Sequence, residues 1–211
     1  MVHKDFPKVT VAMMASCFAV FLLQIVFQDL TAEISLTPIY AFAGSYWQFF
    51  TYMFAHGSIT HLGLNMLALF IFGSVTERVL GWKKYLTLYV LCGLGSAAMH
   101  IALTGISDVP LLGASGSVFG VLTAYAFMFP KNIVIVFPGI PVPAALLVAF
   151  FAIFELFSGF FGLEPGIANF GHLGGIVAGL AIMSYWKWAD RSKRPSWEDY
   201  EYTWDSGIGG M

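Results

Sequence analysis

Charged side chains are scarce in this chain: Asp, Glu, Lys and Arg make up 10% of its 211 residues, against about 25% in soluble domains. With 58% of residues hydrophobic and 17% aromatic, there is too little polar surface to cover the apolar remainder in water. The solvent for most of the chain is therefore lipid, and a count of water-soluble domains by length does not apply. Cysteine is rare as well. Cys17 and Cys92 lie in apolar runs without CxxC spacing, which excludes a disulfide framework and a thiolate metal site. No HExxH occurs, and His56 and His61, five apart, do not share a helical face, so no metal and no cofactor are expected. Net charge is -2 with no basic block interleaved with aromatics, so no nucleic-acid partner is expected. Internal repeats are absent too, and with them the inverted-repeat signature of many transporters.

What is present is a series of apolar runs, at 9–27, 61–80, 85–104, 115–129, 141–161 and 169–188. Most approach the roughly 20 residues a spanning helix needs; the fourth is short. The first is longer than the h-region of a signal peptide and has no small-x-small cleavage site directly after it, so it counts as a span. The expected fold is an all-α polytopic bundle of six transmembrane helices over 9–188. A short N-terminal segment, 1–8, and a polar tail, 189–211, flank it.

Sidedness follows from the basic residues. Lys4, Lys8, Arg78, Lys83, Lys84, Lys131, Lys187, Arg191, Lys193 and Arg194 all fall on one side of a six-span chain. The loops after spans one, three and five carry only acids, Asp29, Glu33, Asp108 and Glu164. By the positive-inside rule both termini are cytoplasmic, in a multi-pass protein of the cell (inner or plasma) membrane. Spans two, four and six then enter from the outer side. That sets His61, Asn65, Ser115 and His172 in one stratum of the outer bilayer, where unpaired polar groups are expensive. The loop after span one, with Tyr46-Trp47-Gln48-Phe49-Phe50, is too apolar for a solvated linker and is expected to embed at the interface. The segment around Phe160 to Gly166 is expected to be mobile and to cover a cavity.

Gly116 and Gly120 in span four, and Gly171, Gly175 and Gly179 in span six, repeat every fourth residue and so line one face of each helix. Such stripes permit close backbone approach and, taken alone, read as helix packing. The same approach brings a hydroxyl at Ser115 within reach of an imidazole at His172. Serine needs an adjacent base to act as a nucleophile. A tetrahedral intermediate needs donors for its oxyanion, available from the unpartnered N–H of Ser115 at a helix start and from Asn65 and His61. His61 and Asn65 by themselves read more readily as interhelical hydrogen bonding, a reading that their shared depth with Ser115 and His172 reverses. No acid is placed to orient the base, since Glu155, the only acid well inside a span, lies near the middle of the fifth. His100 is expected at the interface, and Glu77 at the solvated inner edge as a cap or ion-pair member.

The combination of His56-Gly-Ser-Ile-Thr-His61-Leu-Gly-Leu-Asn65, Gly113-Ala-Ser115-Gly116 and His172-Leu-Gly-Gly175-Ile-Val-Ala-Gly179 resembles the rhomboid intramembrane serine proteases. It extends from the first loop to the last span. The resemblance implies a serine endopeptidase that cleaves transmembrane protein substrates within the lipid bilayer through a Ser115–His172 dyad with no third acid. It also implies an oxyanion hole of Asn65, His61 and the Ser115 N–H, and a supporting His56. Phe119 stands where the family often has a tyrosine against the catalytic histidine; it can stack but not hydrogen-bond. Trp47-Gln48 stands where Trp-Arg is frequent, which puts the anchoring of the first loop in question. The absence of an extra helix resembles the simple bacterial or archaeal form. The alternative is a non-catalytic rhomboid-like protein that binds transmembrane helices, which would be expected to lose Ser115 or His172.

Overall fold

Backbone immersed in lipid must satisfy its own N–H and C=O groups, so apolar runs of this length become helices. The computed structural model describes residues 6–136, 138–162 and 169–190. Its helices in chain order are α1 (Lys8–Val26), α2 (Leu30–Ile34), α3 (Pro38–Phe42), α4 (Gln48–Thr51), α5 (Ile59–Ala68), α6 (Ser74–Leu80), α7 (Trp82–Thr104), α8 (Ser115–Met128), α9 (Ala144–Phe161) and α10 (Asn169–Ala189). A 3-10 turn, Tyr52–Phe54, leads out of α4, and a π-helical stretch, Leu69–Gly73, joins α5 to α6 into one long rod. The molecule is a polytopic helical bundle. Four of its segments, Lys8–Val26, Ile59–Leu80, Trp82–Thr104 and Ala144–Phe161, are long and apolar enough to cross a membrane. Helix α8, at 14 residues, is only about 21 Å long, and α10 has the length with a glycine-rich composition.

Among the described residues one element departs from an all-helical reading. Ile133–Val136 and Ile140–Pro143 form an antiparallel hairpin, β1 and β2, with Val134 opposite Val142. Gly139 turns it at φ +129°, a conformation that glycine adopts without strain. The hairpin takes up the residues assigned to the start of span five, so α9 begins at Ala144 rather than Pro141.

The interior is built on close approach. A Cβ on Gly175 would overlap the Gly116 carbonyl, and one on Gly179 would lie 2.8 Å from the Gly120 carbonyl. Helix α7 joins this contact from a third side: Ser96 and Cys92 fill the space beside Gly116 and Gly120, and Gly95 packs on Ala178. Small residues on three helices thus gain dispersion contact over their backbones. Helices α1 and α9 are peripheral. Phe18, Leu22 and Ile25 on the first, and Phe150, Ile153, Phe157 and Phe160 on the second, are exposed, as lipid-facing residues must be.

The lysine-rich end is closed by a buried acid. Helix α1 has no side-chain cap and no acid in its first turn. Glu77 of α6, 4% exposed, supplies both: its carboxylate accepts from the Val9 N–H (2.9 Å), the Thr10 N–H (2.7 Å) and the Thr10 hydroxyl (2.8 Å). It is a cap, not a solvated edge residue. Lys8, Arg78, Lys83 and Lys84 gather around it, lining a cavity of about 720 Å³ with Phe6 and Trp82.

The long first loop is firmly tied. The Gln48 amide accepts from the Thr37 N–H (3.1 Å) and donates to the Glu33 carbonyl (3.2 Å); Thr51 donates to the Ile34 carbonyl at 2.8 Å. The anchoring that Trp47-Gln48 put in question is therefore made by the glutamine itself. His100, expected at the interface, is instead buried at 2% exposure, its Nε2 3.2 Å from the Val109 carbonyl. The cover segment beyond Gly162, residues 1–5 of the N-terminal segment and the tail beyond Asp190 lie outside the described residues.

Candidate active site

Ser115 is the first residue of α8, following the turn at Gly113, whose φ is +118°. That turn is held from the first loop: Gly113 N–H donates to the Tyr52 carbonyl at 2.9 Å, and Leu36 and Leu111 exchange backbone hydrogen bonds of 2.9 and 2.8 Å. Tyr52 is anchored by its hydroxyl to the Gly93 carbonyl at 2.6 Å. Loop one and α7 together therefore fix where the serine emerges.

His172 lies one turn into α10, and the glycine contact delivers it to Ser115. Its Nε2 is 2.7 Å from Ser115 Oγ. The ring lies against Phe119, with centroids 4.7 Å apart and planes 33° apart; Phe119 is backed edge-on by Phe151 at 5.4 Å. Both polar groups are largely withdrawn from solvent, Ser115 at 9% exposure and the His172 side chain at 13%.

The sequence reading missed the group on the other side of the imidazole. Glu155 Oε1 is 2.9 Å from His172 Nδ1, and Glu155 Oε2 accepts from Asn169 Nδ2 at 2.8 Å. The expectation that Glu155 sits too near the middle of its span to orient the base is corrected here. Glu155 stands six residues before the end of α9 at Phe161, about 9 Å in, and His172 stands three residues into α10, so the two side chains meet near the same end of the bundle. The available signal was Asn169 and His172, three apart on one face of α10, both facing the helix that carries the acid.

His61 reaches the site through Gly113. A Cβ at Gly113 would lie 2.7 Å from His61 Cε1 and 3.6 Å from Ser115 Oγ, so imidazole and hydroxyl flank one small volume. Asn65, buried one turn further along α5, donates its amide to the His61 carbonyl at 3.0 Å. His56 meets His61 edge-on at 5.1 Å, its Nδ1 3.1 Å from the Phe54 carbonyl. Its main chain is clamped by Gln24 of α1, which accepts from the His56 N–H (3.0 Å) and donates to the His56 carbonyl (3.2 Å). Burial first, and the neighbouring His61 second, push the His56 imidazole down to about 4, against the partial lift of the Phe54 carbonyl. His56 is therefore neutral near pH 7. Gly116, Gly120, Gly175 and Gly179 set the α8–α10 spacing.

The likeness to known proteins points the same way. The family model described as the Rhomboid domain matches residues 43–188. Rhomboid protease GlpG of Enterobacter sp. is 29% identical over 180 residues, covering 82% of this chain and 61% of that protein. Rhomboid protein 1, mitochondrial, of Saccharomyces cerevisiae is 33% identical over 132 residues, 60% of this chain and 38% of the relative. For Rhomboid protease GluP of Bacillus subtilis the match is 32% over 138 residues, 65% and 25%. The chain thus spans less than two thirds of the length of each. A domain match over most of the chain, on the segment that holds His56, Asn65, Ser115 and His172, shows that this protein belongs to the rhomboid family.

Proposed function

We propose that the chain is an intramembrane serine endopeptidase whose nucleophile is Ser115 and whose base is His172. The observation that carries this is the 2.7 Å contact between Ser115 Oγ and His172 Nε2, within the range for direct proton transfer. As Oγ attacks the scissile carbonyl carbon, Nε2 takes its proton, then returns it to the departing amine. Water hydrolyses the acyl-enzyme by the same route in reverse. The Ser115 N–H, free by position at a helix start, and the His61 imidazole beside Gly113 flank the site for the oxyanion. Asn65 joins them by releasing the His61 carbonyl.

The substrate in this reading is a transmembrane segment of another protein, able to unwind near Ser115, because a peptide locked in a helix cannot present its carbonyl. Small residues at the cut suit the narrow space between α8, α10 and Gly113. The reading includes six crossings of a cell membrane in the simple bacterial or archaeal arrangement, with residues 1–8 and 189–211 on the cytoplasmic side. Two features support that orientation: the basic residues gathered at the end opposite Ser115 and the positive-inside rule.

The test is cleavage of a model transmembrane substrate in detergent, paired with fluorophosphonate labelling. Ser115→Ala and His172→Ala should each abolish cleavage, and labelling should need both residues, while both variants keep the parent's unfolding temperature. Full activity in either variant overturns the assignment. Absence of labelling in the parent leaves a non-catalytic helix binder as the better account.

A further inference from the structure

Helix α9 presents phenylalanines to lipid along most of its length, yet it carries a carboxylate, Glu155, at 5% exposure. Burying an ionised carboxylate is costly unless donors meet it. Among the described residues the donors are two groups of α10, the Asn169 amide at 2.8 Å and His172 Nδ1 at 2.9 Å. No lysine or arginine among those residues pairs with it. We propose that Glu155 is a positioning residue for His172, converting the Ser115–His172 pair into a Ser115–His172–Glu155 triad whose acid is held in place by Asn169. This rests on the hydrolase reading above.

An ionised carboxylate only accepts hydrogen bonds. One oxygen is taken by Asn169, so the other receives the Nδ1–H of His172. That fixes the imidazole tautomer, leaving the Nε2 lone pair for the Ser115 hydroxyl. During attack the serine proton moves to Nε2, and an imidazolium forms 2.9 Å from the carboxylate in a site of low dielectric. The attraction is then stronger than in the resting state, so it lowers the barrier rather than tightening substrate binding. Asn169, three residues before His172, carries no charge and orients the carboxylate.

A simple latch between α9 and α10 would use the same contacts, so the experiment must separate the two roles. Glu155→Gln keeps the shape and the hydrogen-bonding capacity but removes the charge and allows the other tautomer. On a model transmembrane substrate its kcat should fall at least about 10²-fold with KM changed by no more than about twofold. Glu155→Asp should recover at least about a tenth of parental kcat. Nitrogen NMR of histidine-labelled protein should show His172 protonated at Nδ1 in the parent and redistributed toward Nε2 in Glu155→Gln. A kcat within about threefold of the parent, or a parent His172 protonated at Nε2 alone, overturns the proposal. If Glu155→Gln fails to fold, the tautomer of the parent decides. Ser115-dependent turnover in the parent together with an unaffected Glu155→Gln sinks only this inference; absence of such turnover sinks the hydrolase reading and this one with it.

Discussion

Glu77 and Glu155 are two carboxylates of nearly equal burial, 4% and 5% exposed, at opposite ends of one bundle. Glu77 takes three hydrogen bonds from α1, two from main-chain N–H groups and one from a hydroxyl. Those donors never change charge, so the interaction is the same at every moment of the protein's life and contributes to stability. Glu155 takes one bond from an amide and one from an imidazole, a group that changes charge during the proposed reaction. The same residue type at the same burial therefore serves folding at one end and, in the proposed mechanism, chemistry at the other. What decides is whether the partner can titrate.

The strongest way to break that contrast leaves both acids in place and separates their surroundings. Gly175→Ala puts a Cβ into the Gly116 carbonyl. Backbone cannot swing aside as a side chain can, so α8 and α10 must part. Ser115 stays on one helix while His172 and Asn169 leave with the other. A displacement of about 1 Å is enough to cost on the order of 10²-fold in rate, which fluorophosphonate labelling would read. The Glu77 cap is remote from this contact and should hold α1 as before.

Removing Glu77 should do the converse. Glu77→Ala strands the Val9 and Thr10 N–H groups and should lower stability by about 2–4 kcal/mol, seen as a lower unfolding temperature in detergent. Below that temperature, turnover per folded molecule should stay within about twofold of the parent. A large loss of kcat without loss of stability would erase the distinction between the two ends.

A smaller effect comes from pH. The folded His56 titrates at about 4, against about 6.5 in an unfolded chain. Between these values the unfolded state binds the extra proton, so stability is full above the unfolded value and declines as pH falls toward 4. The slope from this group is at most about 1.4 kcal/mol per pH unit. Unfolding of the Ser115→Ala variant between pH 7.5 and 4.5 should show it, and His56→Gln should flatten it. An unchanged slope would assign the acid sensitivity elsewhere.

What was legible in the sequence follows from how far each interaction reaches. Helices announce themselves through local apolar runs, and the four-residue glycine spacing gave the α8–α10 contact because both stripes are periodic. Ser115 and His172 were placed at one depth by charge asymmetry alone. Glu155 lies six residues before Phe161 wherever its helix begins, and its bond to His172 joins two helices, which no local pattern encodes; the hairpin of Ile133–Val136 and Ile140–Pro143 does carry a local signal, the Pro138-Gly139 turn. The hydrogen bonds that Gln24 and Gln48 make have no local signature either. Each satisfies main-chain groups many residues away, and no local pattern encodes such a bond.

Phe119 offers the finest test of the contrast. Its ring stacks on His172 at 4.7 Å, and it bears no hydroxyl, so it constrains the imidazole by contact alone. If Glu155 sets the orientation of His172, the stack is secondary, and Phe119→Ala should lower kcat/KM no more than about fivefold. In a Glu155→Gln background the imidazole has lost its charged partner, and the same truncation should cost several times more. The double-mutant cycle would then show a coupling of about 1 kcal/mol or greater. Strict additivity would mean that ring and carboxylate act on His172 independently, and that the stack, not the acid, holds the base toward Ser115.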